Sequence, residues 1–417
     1  LYNMSTLKNF LVFARTYAGP VELFKRSLET LIGYLIYPIA YLFPRNKKKW
    51  VFGTNVGFTD NAKYLYLYTL ERNEVRAMWI TNKTDVINMM RSLNLEVYHK
   101  WSPKGLWHCL TAGMYIFTSH SNDINFFTVG RAKKIELWHG VGIKGSSSGK
   151  DGKKRDEAIK SFIYKITAPH NYEKFDLFLS TGPLMNEHFT KMFNLEKGVL
   201  FDSSYPRCNF LQQPMSRILD HIRLYETPEV QQLIDKFKQY DNIYLYMPTW
   251  RANLKDSFLE EAGFDIVKLN DVMKQTNSLF LLKLHPAVRH QKDYTDLESI
   301  LFLDSSMDVY SLLPFTTTLI TDYSSIYYDY LLMEKKHVLL FPFDYEQYIT
   351  NSKSLAFDFD TYTPGVRAYT FQELIKIIHD DVDLSIVSRN KILKLFWGDN
   401  YVEKSSTEIL YQHIKRL

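Results

Sequence analysis

Short apolar runs alternate with longer amphipathic stretches through the first half of the chain. The apolar runs cover residues 50–53 (WVFG), 77–81 (AMWIT), 97–99 (VYH), 114–118 (MYIFT), 134–138 (KIELW) and 175–180 (FDLFLS). Stretches of helical character, such as residues 61–72 and 83–93, separate them. Short apolar strands alternating with helices are typical of parallel α/β units.

The second half repeats this pattern. Its apolar runs cover residues 242–247 (NIYLYM), 279–284 (LFLLKL), 301–303, 318–321 (TLIT) and 337–341 (HVLLF). We therefore predict two α/β domains of similar size, with the change of domain within residues 206–228. Open α/β sheets bind ligands beyond the carboxyl ends of their strands, so a cleft between the domains is the expected site.

The N-terminal region carries a different pattern. Residues 31–43 are mostly apolar, but this run is shorter than the roughly 20 residues that cross a bilayer, and the basic residues Arg45, Lys47, Lys48 and Lys49 follow at once. Either a buried helix or an interfacial anchor fits this pattern. The basic cluster favours the anchor, so residues 1–49 are expected to hold the protein peripherally on an anionic membrane surface, at its cytoplasmic face.

Composition narrows the class of protein. The 417 residues are 46% hydrophobic and 23% charged, as in a globular chain, and the net charge of +5 favours anionic partners. Nucleic acid is not expected, because zinc-finger spacing, an RNP-type strand and a long Lys/Arg tract are all missing from the sequence. Two cysteines, Cys109 and Cys208, are too few for a disulfide framework and favour a reducing compartment.

Four short motifs stand at predicted strand ends: residues 138–140 (WHG), 248–251 (PTWR), 283–286 (KLHP) and 321–325 (TDYSS). Each is weak alone, but together they place histidine, arginine and serine at strand-to-helix junctions in both halves. In TDYSS, Ser324 and Ser325 are predicted to open a helix, where backbone N–H groups and hydroxyls bind phosphate. The simpler alternative is that Ser324 only caps that helix.

Metal chemistry is not expected. The chain has no P-loop, no acidic pair at a strand end and no evident cluster of metal ligands. Asp358 and Asp360, within FDFD, are better explained by alternation along a strand than by metal binding.

The motifs resemble those of the CDP-glycerol glycerophosphotransferases, the family of teichoic acid primases, polymerases and their capsule relatives. LWHGVGIK, YMPTWR, LKLHP and TDYSSIYYDYLLMEKKHVLLFPFDYEQY resemble family blocks in the family's order. GTNVGFTDNAKYLYLY near the start and FWGDNYVEKSS near the end extend the resemblance from about Gly53 to Ser406.

The resemblance implies an α/β fold of the glycosyltransferase-B type, in which two Rossmann-like domains face a cleft. The expected division is residues 1–49 as the membrane-associating helical segment, 50–210 as the acceptor domain, 211–395 as the CDP-donor domain and 396–417 as a helix returning across the cleft. The expected activity is transfer of glycerol phosphate, or another polyol phosphate, from a CDP-activated donor to a polymer or lipid-linked acceptor, with release of CMP. CDP-glycerol or CDP-ribitol would be the substrate, with no obligatory cofactor or metal.

Roles for individual residues follow from the chemistry of this transfer. His139 is the expected general base, because the pKa of imidazole lies near the operating pH, and Gly140 and Lys144 begin the loop that meets the acceptor. His285 is expected to steady the donor's diphosphate as the second catalytic histidine, and Lys283 to be structural. The expected donor and phosphate ligands are Arg207, Arg251, Thr321, Asp322, Ser324, Ser325, Lys404, Ser405 and Ser406.

Other interpretations stay open at this point. A nucleotide-sugar glycosyltransferase of the same fold would use a similar phosphate site, and a CDP-ribitol donor would fit as well as CDP-glycerol. A non-catalytic module that binds anionic polymer at the membrane is an alternative from another class, although histidines at strand ends in both halves argue against it. The sequence leaves open whether the chain forms a homo-oligomer.

Overall fold

The structure is a computed structural model. It describes residues 24–25, 27–142, 165–251, 257–284, 297–351, 355–399 and 405–417, and every structural statement below refers to these ranges.

The first domain is built on a seven-stranded sheet with the strand order β3-β2-β1-β4-β5-β6-β7. Every pair of neighbouring strands is parallel. The strands are β1 (Asn46–Phe52), β2 (Arg76–Thr81), β3 (Val97–His99), β4 (Ala112–Phe117), β5 (Lys133–Glu136), β6 (Leu177–Ser180) and β7 (Leu200–Asp202).

The second domain has a six-stranded parallel sheet with the order β10-β9-β8-β11-β12-β13. On its central strand β8, Ile243 and Leu245 point into one core while Tyr244 and Tyr246 point into another. Both faces of the sheet are thus covered, which explains the nearly continuous apolar runs in the sequence. The strands are β8 (Asn242–Tyr246), β9 (Ser278–Leu282), β10 (Ile300–Phe302), β11 (Thr318–Thr321), β12 (His337–Leu340) and β13 (Val366–Arg367).

Helices connect the strands of both sheets. Those before the second sheet are α1 (residues 27–40), α2 (Asp60–Arg72), α3 (Thr84–Ser92), α4 (Pro103–Thr111), α5 (Pro183–Phe193), α6 (Pro206–Leu211), α7 (Met215–Tyr225) and α8 (Pro228–Phe237). The later ones are α9 (Phe258–Glu261), α10 (Ile266–Gln275), α11 (Ile326–Tyr330), α12 (Tyr345–Asn351), α13 (Phe359–Tyr362), α14 (Phe371–His379), α15 (Arg389–Trp397) and α16 (Ser406–Arg416).

The last two helices return to the first domain. Arg389, at the start of α15, donates to the second-domain carbonyls of Leu331 and Lys336, whereas Trp397 at its end packs against Tyr205. Helix α16 then lies on the first sheet's helices, where Tyr411 contacts Trp50 at a ring distance of 5.3 Å. The C-terminal segment therefore crosses from the second domain to the first.

Each of the apolar runs named above forms a strand, with ends shifted by a few residues at most. Two strands that the sequence did not reveal, β7 and β13, are short and lie at the edges of their sheets. The expected strand at FDFD is wrong, because Asp358 caps helix α13 by accepting a hydrogen bond from the Thr361 backbone N–H at 2.8 Å.

Helix α1 lies against the first domain by one face. Gly33 and Ala40 are buried, and Tyr37 stacks on Phe126 with ring centres 5.3 Å apart. No helix in the described ranges has both the length and the apolarity needed to cross a membrane.

Candidate active site

The WHG motif forms a tight turn at the carboxyl end of β5. Trp138 adopts the left-handed conformation with φ 53°, and two side chains hold the backbone around it. Asn61 Nδ2 donates to the carbonyl of Trp138 at 2.8 Å, and Glu136 Oε1 accepts from the Trp138 N–H at 2.8 Å. The turn presents the exposed His139 side chain beyond the sheet edge.

The imidazole of His139 is fixed in one tautomer. Its Nδ1 lies 3.1 Å from the carbonyl oxygen of Thr118. Because a carbonyl oxygen only accepts hydrogen bonds, Nδ1 carries the proton and Nε2 carries the lone pair. This arrangement suits a general base acting through Nε2.

A buried carboxyl group supports the acceptor of that bond. Asp123 Oδ2 accepts from the backbone N–H groups of Thr118 and Ser119, at 3.3 and 3.0 Å. Burial raises the pKa of Asp123 to about 7, and burial raises the pKa of Glu136 well above its usual range. Two buried carboxyl groups with raised pKa values thus lie beside the His139 turn.

The TDYSS motif follows β11 in the second domain. Thr321 Oγ1 donates to the Met247 carbonyl at 2.6 Å, and Asp322 Oδ1 accepts from the Thr249 N–H at 2.7 Å. These bonds join TDYSS to the PTWR loop after β8. Ser324 and Ser325 are partly exposed, and helix α11 begins just after them at Ile326. That helix has only five residues, so its dipole has little to offer an anion, and the hydroxyls of Ser324 and Ser325 are the polar side-chain groups that this loop presents.

Arg251 forms the predicted bidentate fork, but with a carboxylate of its own domain. Its Nε and Nη2 donate to the two oxygens of Asp344 at 2.8 and 2.7 Å, and its Nη1 donates to Asp322 Oδ2 at 2.5 Å. The side chain is 4% exposed. The geometry thus gives Arg251 and Asp322 the role of joining the loops around Ser324 and Ser325.

Arg207 is also paired with carboxylates. Its Nη1 contacts Asp60, and its Nη2 donates to Asp329 Oδ2 at 2.6 Å and to the His139 carbonyl at 2.9 Å. Asp60 and His139 belong to the first domain, whereas Asp329 lies on α11 of the second. Arg207 therefore stands at the junction of the two motif-bearing loops.

The two loops meet at Gly140. A β-carbon on this residue would lie 2.8 Å from the Ser325 Oγ atom, at a backbone φ of 145°. His139 and Gly140 of the first domain are thus brought next to Ser325 of the second, as the motif positions at strand ends predict.

Comparison with known proteins identifies the family of this chain. The family model described as CDP-Glycerol:Poly(glycerophosphate) glycerophosphotransferase matches residues 35–411. The chain belongs to this family.

Relatives within the family are distant in sequence. The chain is 25% identical over 371 residues to the teichoic acid poly(glycerol phosphate) polymerase of Bacillus spizizenii, a match that covers 85% of this chain and 89% of the relative. It is 22% identical over 356 residues to the teichoic acid glycerol-phosphate transferase of Staphylococcus aureus, covering 82% and 86%. A poly(ribitol-phosphate) polymerase of Bacillus spizizenii is 25% identical over 376 residues, covering 86% of this chain and 55% of the relative.

A solved structure of the wall teichoic acid polymerase TagF matches with a TM-score of 0.69 and 17% identity, over 99% of this chain and 96% of that chain. At this identity the match concerns the fold, which is α/β with parallel sheets and similar to the glycosyltransferase-B type.

The structure describes only some of the remaining predicted residues of this glycerophosphotransferase-family chain. Ser406 is buried where α16 meets the first domain, and its carbonyl accepts from Ser203 Oγ at 3.1 Å. Ser405 lines a cavity of about 450 Å³ between α16 and helices α2, α6 and α7. His285, Lys144 and Lys404 fall outside the described residues. Lys283 donates to the carbonyls of Asp304 and Ser305 at 3.0 and 3.1 Å, which fits the predicted structural role.

Several residues around the site were not anticipated from the sequence: Asn61, Asp60, Thr118, Asp123, Glu136 and Asp329. Asp60, Asn61 and Asp329 lie inside segments that resemble family blocks, so a signal for them was present. Asp123 and Glu136 had no such signal, because a lone carboxylate near a strand end is usually a surface residue. In the described ranges, no group of three or more His, Cys, Asp or Glu side chains is arranged to hold a metal ion.

Proposed function

We propose that this protein transfers a polyol phosphate from CDP-glycerol or CDP-ribitol to a hydroxyl group of a teichoic-acid-like or capsular polymer, or of its lipid-linked precursor. The observation that carries the proposal is the turn at His139, whose imidazole Nδ1 is bonded to the Thr118 carbonyl and whose next residue, Gly140, lies against Ser325 of the other domain. Family membership and the relatives' names support the substrate class.

The transfer uses His139 as the base. The acceptor hydroxyl loses its proton to Nε2 while its oxygen attacks the phosphorus that carries the polyol. A new P–O bond to the acceptor forms, the P–O bond to the CMP moiety breaks, and CMP leaves with the electron pair. The product is a phosphodiester.

The second domain is the proposed donor side. Ser324 and Ser325 contact the diphosphate through their hydroxyls, while Arg251, Asp322 and Thr321 hold the loops that carry them. His285 and Lys404 complete this assignment as a proposal from the sequence alone.

The deciding experiment incubates the protein separately with CDP-glycerol, CDP-ribitol and a UDP-sugar, each with a lipid or oligomer acceptor, and measures nucleotide release. Release of CMP and a product cleaved by hydrofluoric acid are expected, with and without EDTA. Release of UDP alone would favour a glycosyltransferase. Absence of release, with binding of the polymer retained, would favour a binding module.

Two variants distinguish the general base from the residues that contact the donor. His139→Ala is expected to bind the CDP-donor normally but to lower single-turnover CMP release by about 10² to 10⁴. The double variant Ser324→Ala/Ser325→Ala is expected to weaken donor binding itself, because phosphate contacts act in the ground state as well. If His139→Ala instead loses donor binding and keeps its rate, the roles are assigned the wrong way round.

The proposal also places the enzyme on an anionic membrane surface, through α1. The outward face of this helix is apolar, with Leu31 62% and Leu35 66% exposed, and Leu42, just after the helix, is 79% exposed. Trp107 lies beside its C-terminal end, 6.2 Å from Phe43 between ring centres. The side chains of Lys47 and Lys48, which follow α1 in the sequence, and of Lys104, three residues before Trp107, are exposed, and this charge complements acidic lipid headgroups.

A further inference from the structure

We infer that Arg207 is a positioning residue that couples the approach of the two domains to the placement of His139. The inference rests on the proposed function of His139 as general base. It assigns Arg207 to the geometry of the catalytic turn in place of the phosphate contact expected from the sequence.

One guanidinium group holds partners from both domains. On the first-domain side it binds Asp60 and the His139 carbonyl, the latter at 2.9 Å. On the second-domain side it binds Asp329 at 2.6 Å, and its central carbon lies 4.6 Å from the centre of the Tyr310 ring. Arg207 is 3% exposed and Asp329 is fully buried, so a substrate phosphate has no access to this guanidinium in the observed arrangement.

The second-domain partners are themselves fixed. Tyr310 OH donates to Asp329 Oδ2 at 2.5 Å, so the carboxylate oxygen that meets Arg207 is held from its own side. The Nη2 atom of Arg207 contacts this oxygen and the His139 carbonyl together. When the domains separate, Arg207 loses the carboxylate that orients its Nη2 toward His139.

Arg207 is linked to the proposed base through the backbone of that same residue. The carbonyl that Arg207 binds belongs to His139 itself, and the next residue, Gly140, abuts Ser325. The position of the His139 peptide therefore depends on the donor-bearing domain as well as on the first-domain contacts that hold the turn. Exact placement matters for a general base, since a misplacement of about 1 Å can cost about 10²-fold in rate.

A second interdomain ion pair provides a matched control. Lys63 of α2 donates to Asp308 Oδ2 of the second domain at 2.8 Å, with side chains 1% and 3% exposed. This pair resembles Arg207–Asp329 in burial and in joining the domains, but its further hydrogen bonds go to Glu226, Thr59 and Tyr64 and not to the His139 turn. Asp308→Asn keeps the oxygen that accepts from the Tyr310 N–H and replaces the one that accepts from Lys63 and Tyr64, so it weakens the interdomain pair at a place separate from the Arg207–Asp329 pair.

The experiment compares Asp329→Asn with Asp308→Asn in the full-length chain. We expect Asp329→Asn to lower single-turnover CMP release by about 10- to 100-fold, with donor affinity within about threefold of wild type. Asp308→Asn should lose similar thermal stability but keep most of its rate. Equal losses of rate in both variants would overturn the inference, because they would show that the pairs act only through domain stability.

Hydrogen exchange tests the coupling without an activity assay. Peptides that contain residues 137–142 are expected to exchange faster in Asp329→Asn than in wild type, and at the wild-type rate in Asp308→Asn. Unchanged exchange in Asp329→Asn contradicts the inference even if the protein proves inactive toward CDP-polyols. A wild-type protein that releases no CMP contradicts the proposed function alone.

Discussion

The backbone of Gly140 in the first domain lies against the side chain of Ser325 in the second, so closely that a β-carbon at position 140 would stand 2.8 Å from the serine oxygen and 3.2 Å from its Cβ. This contact is where the proposed base and the proposed donor site meet. A glycine is required here for two reasons, its φ of 145° and the space that Ser325 occupies.

Substitution of this glycine should impair transfer more than it impairs folding. Gly140→Ala is expected to lower donor affinity and single-turnover CMP release together, because the added methyl group pushes Ser325 away. The matched control is Gly198→Ala, whose φ of 85° is also unfavourable for alanine but whose β-carbon would meet nothing within 4 Å. Equal activity of the two variants at equal stability would show that the Gly140–Ser325 contact does not contribute to donor binding or transfer.

Loss of the Arg251 guanidinium should mainly destabilise the fold. Arg251→Met leaves Asp322 and Asp344 buried without their cation, a change that typically costs about 3–5 kcal/mol. Arg223→Met breaks an exposed pair with Asp220 and should cost less than about 1 kcal/mol. Urea denaturation measures both. A stable Arg251→Met variant that has lost donor binding would restore the phosphate-ligand role predicted from the sequence.

Asp123 should make stability depend on pH in a defined direction. The folded protein keeps the Asp123 proton up to about pH 7, whereas the unfolded chain releases it near pH 4. Unfolding therefore releases a proton in this interval, and the Asp123 contribution to stability falls as the pH rises from about 4 to about 7. Asp123→Asn keeps an oxygen for the Thr118 and Ser119 N–H groups and should flatten this fall.

The comparison is made by urea denaturation at several pH values, with Asp271→Asn as an exposed control. The difference in unfolding free energy between Asp123→Asn and wild type should grow from pH 4 to pH 7. A constant difference across that range would mean that Asp123 is already ionised in the folded protein.

The outward face of α1 should be needed for membrane attachment. Leu31→Gln/Leu35→Gln is expected to abolish flotation of the full chain with vesicles that contain acidic lipid, and wild-type flotation should weaken with salt. Val387→Gln, which changes a fully exposed apolar residue elsewhere, is the control. Flotation of the Leu31/Leu35 variant at the wild-type level would rule out α1 as the anchor.

The fold could be predicted largely because both sheets are parallel and covered on both faces. Such strands are short and nearly continuously apolar, as residues 279–282 (LFLL) show, and helices separate them in the sequence. Strand β13 was missed since its two residues, Val366 and Arg367, are only partly buried. The strand predicted at FDFD was wrong because an aspartate that caps a short helix can give the same apolar–polar alternation in sequence as a strand.

The location of the site could be predicted from the sequence, but the roles of its individual residues could not. His139 and Ser325 were found because each ends a strand motif, and parallel strands bring such ends to one edge. The partners of Arg207 and Arg251 could not be anticipated, since Asp329 and Asp344 lie 122 and 93 residues away. A guanidinium group looks the same in sequence whether it meets a substrate phosphate or a buried carboxylate.

The return of α16 to the first domain has a consequence for synthesis on the ribosome. Tyr68 of α2 contacts Glu408 of α16 across a separation of 340 residues, and Tyr411 covers Trp50 of the first strand. The second domain is translated in full before this covering helix exists. Part of the first domain's core therefore stays open to solvent and to chaperones until α16 has left the exit tunnel.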